Sequence, residues 1–286
     1  MPFLGIVQFP HPGPEHKVGP DGTTQWNTGR HRRKFMQGKG QYISPSGTVL
    51  NGDFTFWGEW EGESHLLTSW KASGSLPRFL VKPVFRGPGT RIAGLQNTDP
   101  YVFGDQFLYT LCKQIVPKTK SRTIMNQLLP ESLILFGSTV KNEFVLDTVF
   151  VISDEVITHS RLTWREVLAN EISAVYQHST IDPMYWDSAI PDEFDFALYK
   201  GVTYSELQDK PFSFVPCKAV ADEDNHRFSR PVISLPEIIN PRSQQSYRGT
   251  PLNLNEIATV FNDIRRQVLD QGLCLAVQIN EPLLTE

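Results

Sequence analysis

Residues 57–63, WGEWEGE, pack three carboxylates and two indoles into seven positions, and four of the seven histidines, His11, His16, His31 and His65, lie in the first 65 residues. Histidine beside glutamate is the usual vocabulary of general acid–base catalysis. Read as a strand, residues 52–64 place Phe54, Phe56 and Trp60 on one face. Thr55, Trp57, Glu59, Glu61 and Glu63 fall on the other. Glu59 and Glu61 would then sit about 7 Å apart. At that separation two carboxylates can divide acid and base roles or hold a divalent cation, the one cofactor this pattern invites. The plainer reading is a solvated strand face whose charges are met by nearby cations.

Those cations are Arg30, Arg32, Arg33 and Lys34, which flank His31 and follow Trp26 and Asn27. Guanidinium for phosphate and indole for base suit a nucleotide or a nucleic-acid end, although a basic, solvated turn explains the run equally well. Asp147 interrupts the apolar run FVLDTVFVI, and an acid in a buried strand must be paired, hydrogen-bonded or protonated. The candidate catalytic residues are therefore Glu59, Glu61, His31, His11 and Asp147. Trp26, Arg32, Arg33 and Trp57 are the candidate substrate-binding residues. No metal ligand set is assigned, because the histidine spacings fit no standard zinc pattern and neither HExxH nor CxxC occurs. Gly87-Pro88-Gly89 lacks the lysine and helix start of a phosphate loop. Ser138 is not in a GxSxG elbow, and the single HxT at 178–180 has no second copy.

Composition sets the frame. With 40% hydrophobic and 20% charged residues, the chain of 286 can bury a sizeable core. Residues 1–100 carry 11 Lys/Arg against 7 Asp/Glu, and with a whole-chain balance of −4 the remainder stands at −8. That balance argues against a protein that coats nucleic acid non-specifically. Cys112, Cys217 and Cys274 lie far apart in apolar runs and read as buried, reduced thiols of a cytoplasmic protein. No apolar run approaches the roughly 18 residues of a membrane span. One compact domain over residues 1–286 is expected, divisible into a basic, aromatic-rich β lobe (1–100) and an acidic α+β lobe (101–286).

The elements follow from periodicity. Strands are expected at 3–9, 47–50 and 52–64 (a hairpin turning at Asn51-Gly52), 77–85, 132–137, 144–152, 194–199, 211–215 and 273–279. Residues 10–27, rich in proline and glycine, read as a surface loop. Helices are expected from Asp105, behind the capping box Thr163–Glu166, and along the stripe Ile257, Val260, Phe261, Ile264, Val268 closed by Gly272. Many strands, few helices and no βαβ rhythm predict an α+β fold: a mixed, antiparallel-rich sheet, open to barrel-like closure, with two to four helices. The leading expectation is an enzyme performing hydrolysis or group transfer on a nucleotide or nucleic-acid-derived substrate. A non-catalytic module binding modified nucleic acid, a nucleotide or a protein partner is the alternative. An assembly protein packing its tryptophans between copies, a homo-oligomer, is a third.

Overall fold

The structure, a computed structural model, describes residues 1–11, 13–87, 94–116, 118–186, 190–192, 194–207, 210–220, 226–242 and 247–283. Gly87 is described, but the rest of the GPG stretch lies outside the described residues. The architecture is α+β, with strands predominating. A mixed six-stranded sheet runs in the order Arg248–Pro251, Gly5–Pro10, Leu133–Val140, Glu143–His159, Phe196–Gly201, Leu108–Tyr109. Only Gly5–Pro10 and Leu133–Val140 pair in parallel within it. In the second sheet, Lys34–Ile43, Val49–Gly58, Val215–Ala219 and Cys274–Ile279 close into a four-stranded antiparallel barrel. Phe79–Pro83 and Ser64–Ser69 extend that sheet beyond Lys34–Ile43. Strands from either side of residue 100 thus share both sheets.

Closure brings backbones together at Gly40, where a Cβ would stand 2.1 Å from the Gln278 carbonyl oxygen, so only glycine fits. Both faces of the central strands are covered. Phe54 and Phe56 join one core with Phe103, Phe136 and Phe150. Phe35 and Trp57 join a second, shared with Ile257, Phe261, Ile264 and Val268 of the Leu254–Asp270 helix. That helix starts at a capping box of Asn253 and Glu256 and ends before Gly272 at φ 73°. Among the described residues no helix is long and apolar enough to cross a membrane.

Several local expectations need correction. The hairpin is real, but Val49–Gly58 runs straight through Asn51-Gly52, and the turn sits at residues 44–48, where Ser44 and Thr48 close it. The strand ends at Gly58, so Glu59, Glu61 and Glu63 do not share a strand face. No helix starts at Asp105. The Asp99 carboxylate instead accepts the backbone N–H groups of Thr110, Leu111 and Cys112 at 2.7 to 3.0 Å and holds a turn there, after the short strand Leu108–Tyr109. Behind Thr163 only one turn forms, Trp164–Val167, because the Thr163 hydroxyl accepts from the Ser160 N–H and makes no cap bond to its own helix.

The long strand ends at His159, fully buried, with Nε2 2.7 Å from the Thr110 hydroxyl and Nδ1 2.7 Å from the Tyr185 hydroxyl. Burial lowers its pKa from 6.5 to about 4, so the native state keeps it neutral where the unfolded chain already binds a proton. Stability from this group is complete above pH 6.5 and is lost as the pH falls toward 4, by up to about 3 kcal/mol. Urea unfolding across that window should show this slope in the wild type and lose it in His159→Gln.

Candidate functional site

Four separate segments meet at the open end of the barrel hairpin. The parallel pair of strands ends at Pro10 opposite Gly137, and the His11 N–H donates to the Gly137 carbonyl at 2.8 Å, fixing His11 at the carboxyl end of that pair. In the hairpin Lys34 faces Gly58, so the residues just outside it, 31–33 and 59–61, are brought face to face. The loop before them is pinned: Arg33 N–H donates to Pro14 and His16 N–H to Arg33. Asp147 arrives through a β-bulge. Phe136 pairs with Thr148 and Gly137 with Leu146, which leaves Asp147 as the extra residue. Bulges re-aim a side chain, and this one carries a carboxylate to the Arg33 guanidinium.

The contacts are short and interlocked. Arg33 Nη1 lies 2.6 Å from Glu59 Oε2, and its Nε lies 2.7 Å from Asp147 Oδ2. His11 Nδ1 is 2.9 Å from the same Glu59 Oε2. His31 Nδ1 sits 2.8 Å from both Glu59 Oε1 and Glu61 Oε1. Its alignment favours Glu61, and Glu59 Oε1 accepts no hydrogen bond. Asn27 Nδ2 donates to Glu61 Oε2 at 2.5 Å, while the Glu61 N–H donates to the Thr98 hydroxyl. The imidazoles of His11 and His31 stack with centroids 5.4 Å apart. At the far side Arg230 lies 3.5 Å from Asp147 Oδ1, donates to the Ser138 hydroxyl and to the Gly13 carbonyl, and caps the Trp57 ring.

Burial and charge then sort the protonation states. Desolvation works against charge on His31, but the Glu59 and Glu61 carboxylates outweigh it and hold its pKa up at about 10. Burial dominates at His11 and lowers its pKa despite the pull of Glu59. Burial would raise the Glu59 carboxyl, yet Arg33, His31 and His11 together hold it well below the usual carboxylate range. Three buried carboxylates are thus offset by two guanidiniums and one imidazolium. Lys34 stands behind them with Nζ donating to the Gly62 carbonyl and the Ser64 hydroxyl, its pKa lowered by burial to about 7.

No protein-family model matches the chain, and no curated protein or solved structure is similar to it.

All five residues expected to be catalytic, Glu59, Glu61, His31, His11 and Asp147, lie in this one cluster. The expected substrate-binding residues divide. Arg33 is 1% exposed and taken up by two carboxylates, so it is an internal strut with no face for a phosphate. Trp57 is 5% exposed, with its Nε1 donating to the Phe228 carbonyl and Arg230 over its ring, so it offers no open stacking face. The reason is that the sheet face expected to meet water is covered by the second core. Arg32 remains half-exposed and contributes, after burial and Lys34, to lowering the pKa of His16 to about 4. Trp26 is half-buried and lines a recess of about 160 Å³ with Trp60, Phe85, His178 and Trp186. Cys112, expected to be buried, is only partly so. Asn27 and Thr98 complete the site without having been singled out; only the Trp26-Asn27 pair preceding the basic run hinted at the first.

A cleft of about 650 Å³ lies on the Arg230 side. Trp57 and Arg230 form part of its wall, with Gly13, Glu15, Arg78 and Lys141 around it.

Proposed function

We propose that the protein is an enzyme that carries out hydrolysis or group transfer on a nucleotide or nucleic-acid-derived substrate. The observation that carries this reading is His31, the most exposed member of the cluster at 19%, held between two carboxylates that are 1–2% exposed. A histidine at the surface with buried acids behind it is the arrangement of a general acid–base whose orientation and protonation are set by its supports. His31, held protonated, gives its proton to substrate as a general acid, and Glu59 and Glu61 orient it. Arg32, beside His31 in sequence, and Arg230, on the cleft wall, take the roles of anion binders that Arg33 cannot fill. Trp26, on the aromatic recess, takes the role of base platform in place of Trp57. A cytoplasmic setting belongs to the same proposal.

The test is native and denaturing mass spectrometry of the purified protein, followed by turnover of whichever nucleotide class is released. A retained nucleotide that is consumed by the wild-type protein is the expected result. Absence of any retained nucleotide, together with no turnover of mononucleotides, cyclic nucleotides or short oligonucleotides, would contradict the proposal. One observation favours a non-catalytic binding module instead: the cleft of about 650 Å³ beside Arg230 is lined by neither His31 nor Glu59 nor Glu61. Under that reading Glu61→Gln changes affinity for the retained nucleotide and there is no turnover to lose.

A further inference from the structure

We propose that His31, Glu59 and Glu61 form a binding site for one divalent first-row transition-metal ion, of the zinc or manganese class. The inference rests on reading the cluster as an active site and names the cofactor that site would use; the ion would displace the proton that His31 Nδ1 holds between the carboxylates, so that with the ion bound His31 serves as a ligand. The two carboxylates are arranged alike. Each has one oxygen tied from behind, Glu59 Oε2 by Arg33 and His11, Glu61 Oε2 by Asn27. Each turns its other oxygen toward His31 Nδ1. Supports that hold one oxygen and free the other are what orient carboxylate ligands around a metal.

One imidazole nitrogen cannot satisfy both free oxygens, and Glu59 Oε1, on a side chain 2% exposed, is left without a hydrogen bond. A cation placed between the three atoms meets all of them at once. The three donor atoms already lie within 4.8 Å of one another. Tetrahedral bonds of about 2.1 Å require ligand atoms roughly 3.4 Å apart. The present 2.8 Å spacings therefore open by about half an ångström, a movement the partly exposed His31 ring can make. Imidazole with two carboxylates suits zinc, manganese or iron rather than calcium or magnesium, which prefer all-oxygen shells. Three protein ligands leave a position for water or substrate, as in catalytic sites. The ion would polarise that bound group, while Arg33 keeps Glu59 ionised and in place.

The test uses the full chain, stripped with chelator and titrated with zinc or manganese by calorimetry. One ion per chain is expected, with affinity reduced 10- to 100-fold by Asn27→Ala, which touches no metal and leaves the three ligands in place. Glu61→Gln and His31→Gln should abolish binding, and Glu63→Gln should leave it unchanged. On the wild-type protein, electron spin-echo spectroscopy of bound manganese should show coupling to an imidazole nitrogen. No binding, binding indifferent to Glu61→Gln and His31→Gln, absence of the nitrogen coupling, or preference for magnesium would each overturn the inference. If metal fails to bind while nucleotide turnover persists and needs His31, only this inference falls. If metal binds as described and no nucleotide is bound or consumed, the proposed function falls and the metal site stands.

Discussion

Arg33→Met is expected to lower the unfolding free energy by about 3–5 kcal/mol, because it leaves two buried carboxylates without their shared cation. Arg33 is 1% exposed and lies 2.6 Å from Glu59 and 2.7 Å from Asp147. Desolvation opposes its charge, and the two acids more than offset that and push its pKa up, so the ion cluster depends on it. Methionine fills a similar volume, so loss of packing contributes little. For a domain of this size the midpoint of thermal unfolding should drop by on the order of 10 °C. Arg33→Lys should recover only part of the loss, since an ammonium cannot present the fork that reaches both carboxylates. Urea unfolding followed by circular dichroism gives the number. A loss below about 1 kcal/mol would mean that the cluster is hydrated.

The second large effect is on turnover. His31→Gln should reduce kcat on the released nucleotide by about 10²- to 10⁴-fold, the range for losing a general acid–base, while KM changes little. Glutamine retains an N–H for Glu61, so the fold survives the change. His65, which is exposed on the Ser64–Ser69 strand, serves as the control and should have no effect as His65→Gln. A matched rise in KM with kcat unchanged would place His31 in substrate binding and would remove it from the chemistry.

The residues of the site were more legible than their arrangement. Glu59, Glu61, His31, His11 and Asp147 stood out because charge in an apolar or aromatic setting demands partners. That rule does not say who the partners are. Arg33 looks like any other member of a basic run, and only the pairing of Lys34 with Gly58 turns it inward onto Glu59. Asp147 meets Arg33 because of a bulge opposite Phe136 and Gly137, a register defect that leaves no mark in composition or periodicity. Trp57 misled for a related reason. Alternation assigns it to a different face from Phe54 and Phe56, but it cannot reveal that helix Leu254–Asp270 belongs to a core covering that face. The same helix was readable from its cap, its apolar stripe and Gly272, since those signals are local. The barrel rested on pairings between residues more than 200 positions apart, such as Tyr42 with Ala276, which the α+β composition permits and does not specify.

The most direct measurement is a double-mutant cycle between Arg33→Met and Glu59→Gln, read by urea unfolding. If the hairpin's open end holds these two side chains in one buried unit at 2.6 Å, their losses will overlap by about 1–3 kcal/mol. Losses that simply add, within about 0.5 kcal/mol, would show that Glu59 and Arg33 do not share a site, and the catalytic and metal readings built on Glu59 would go with them.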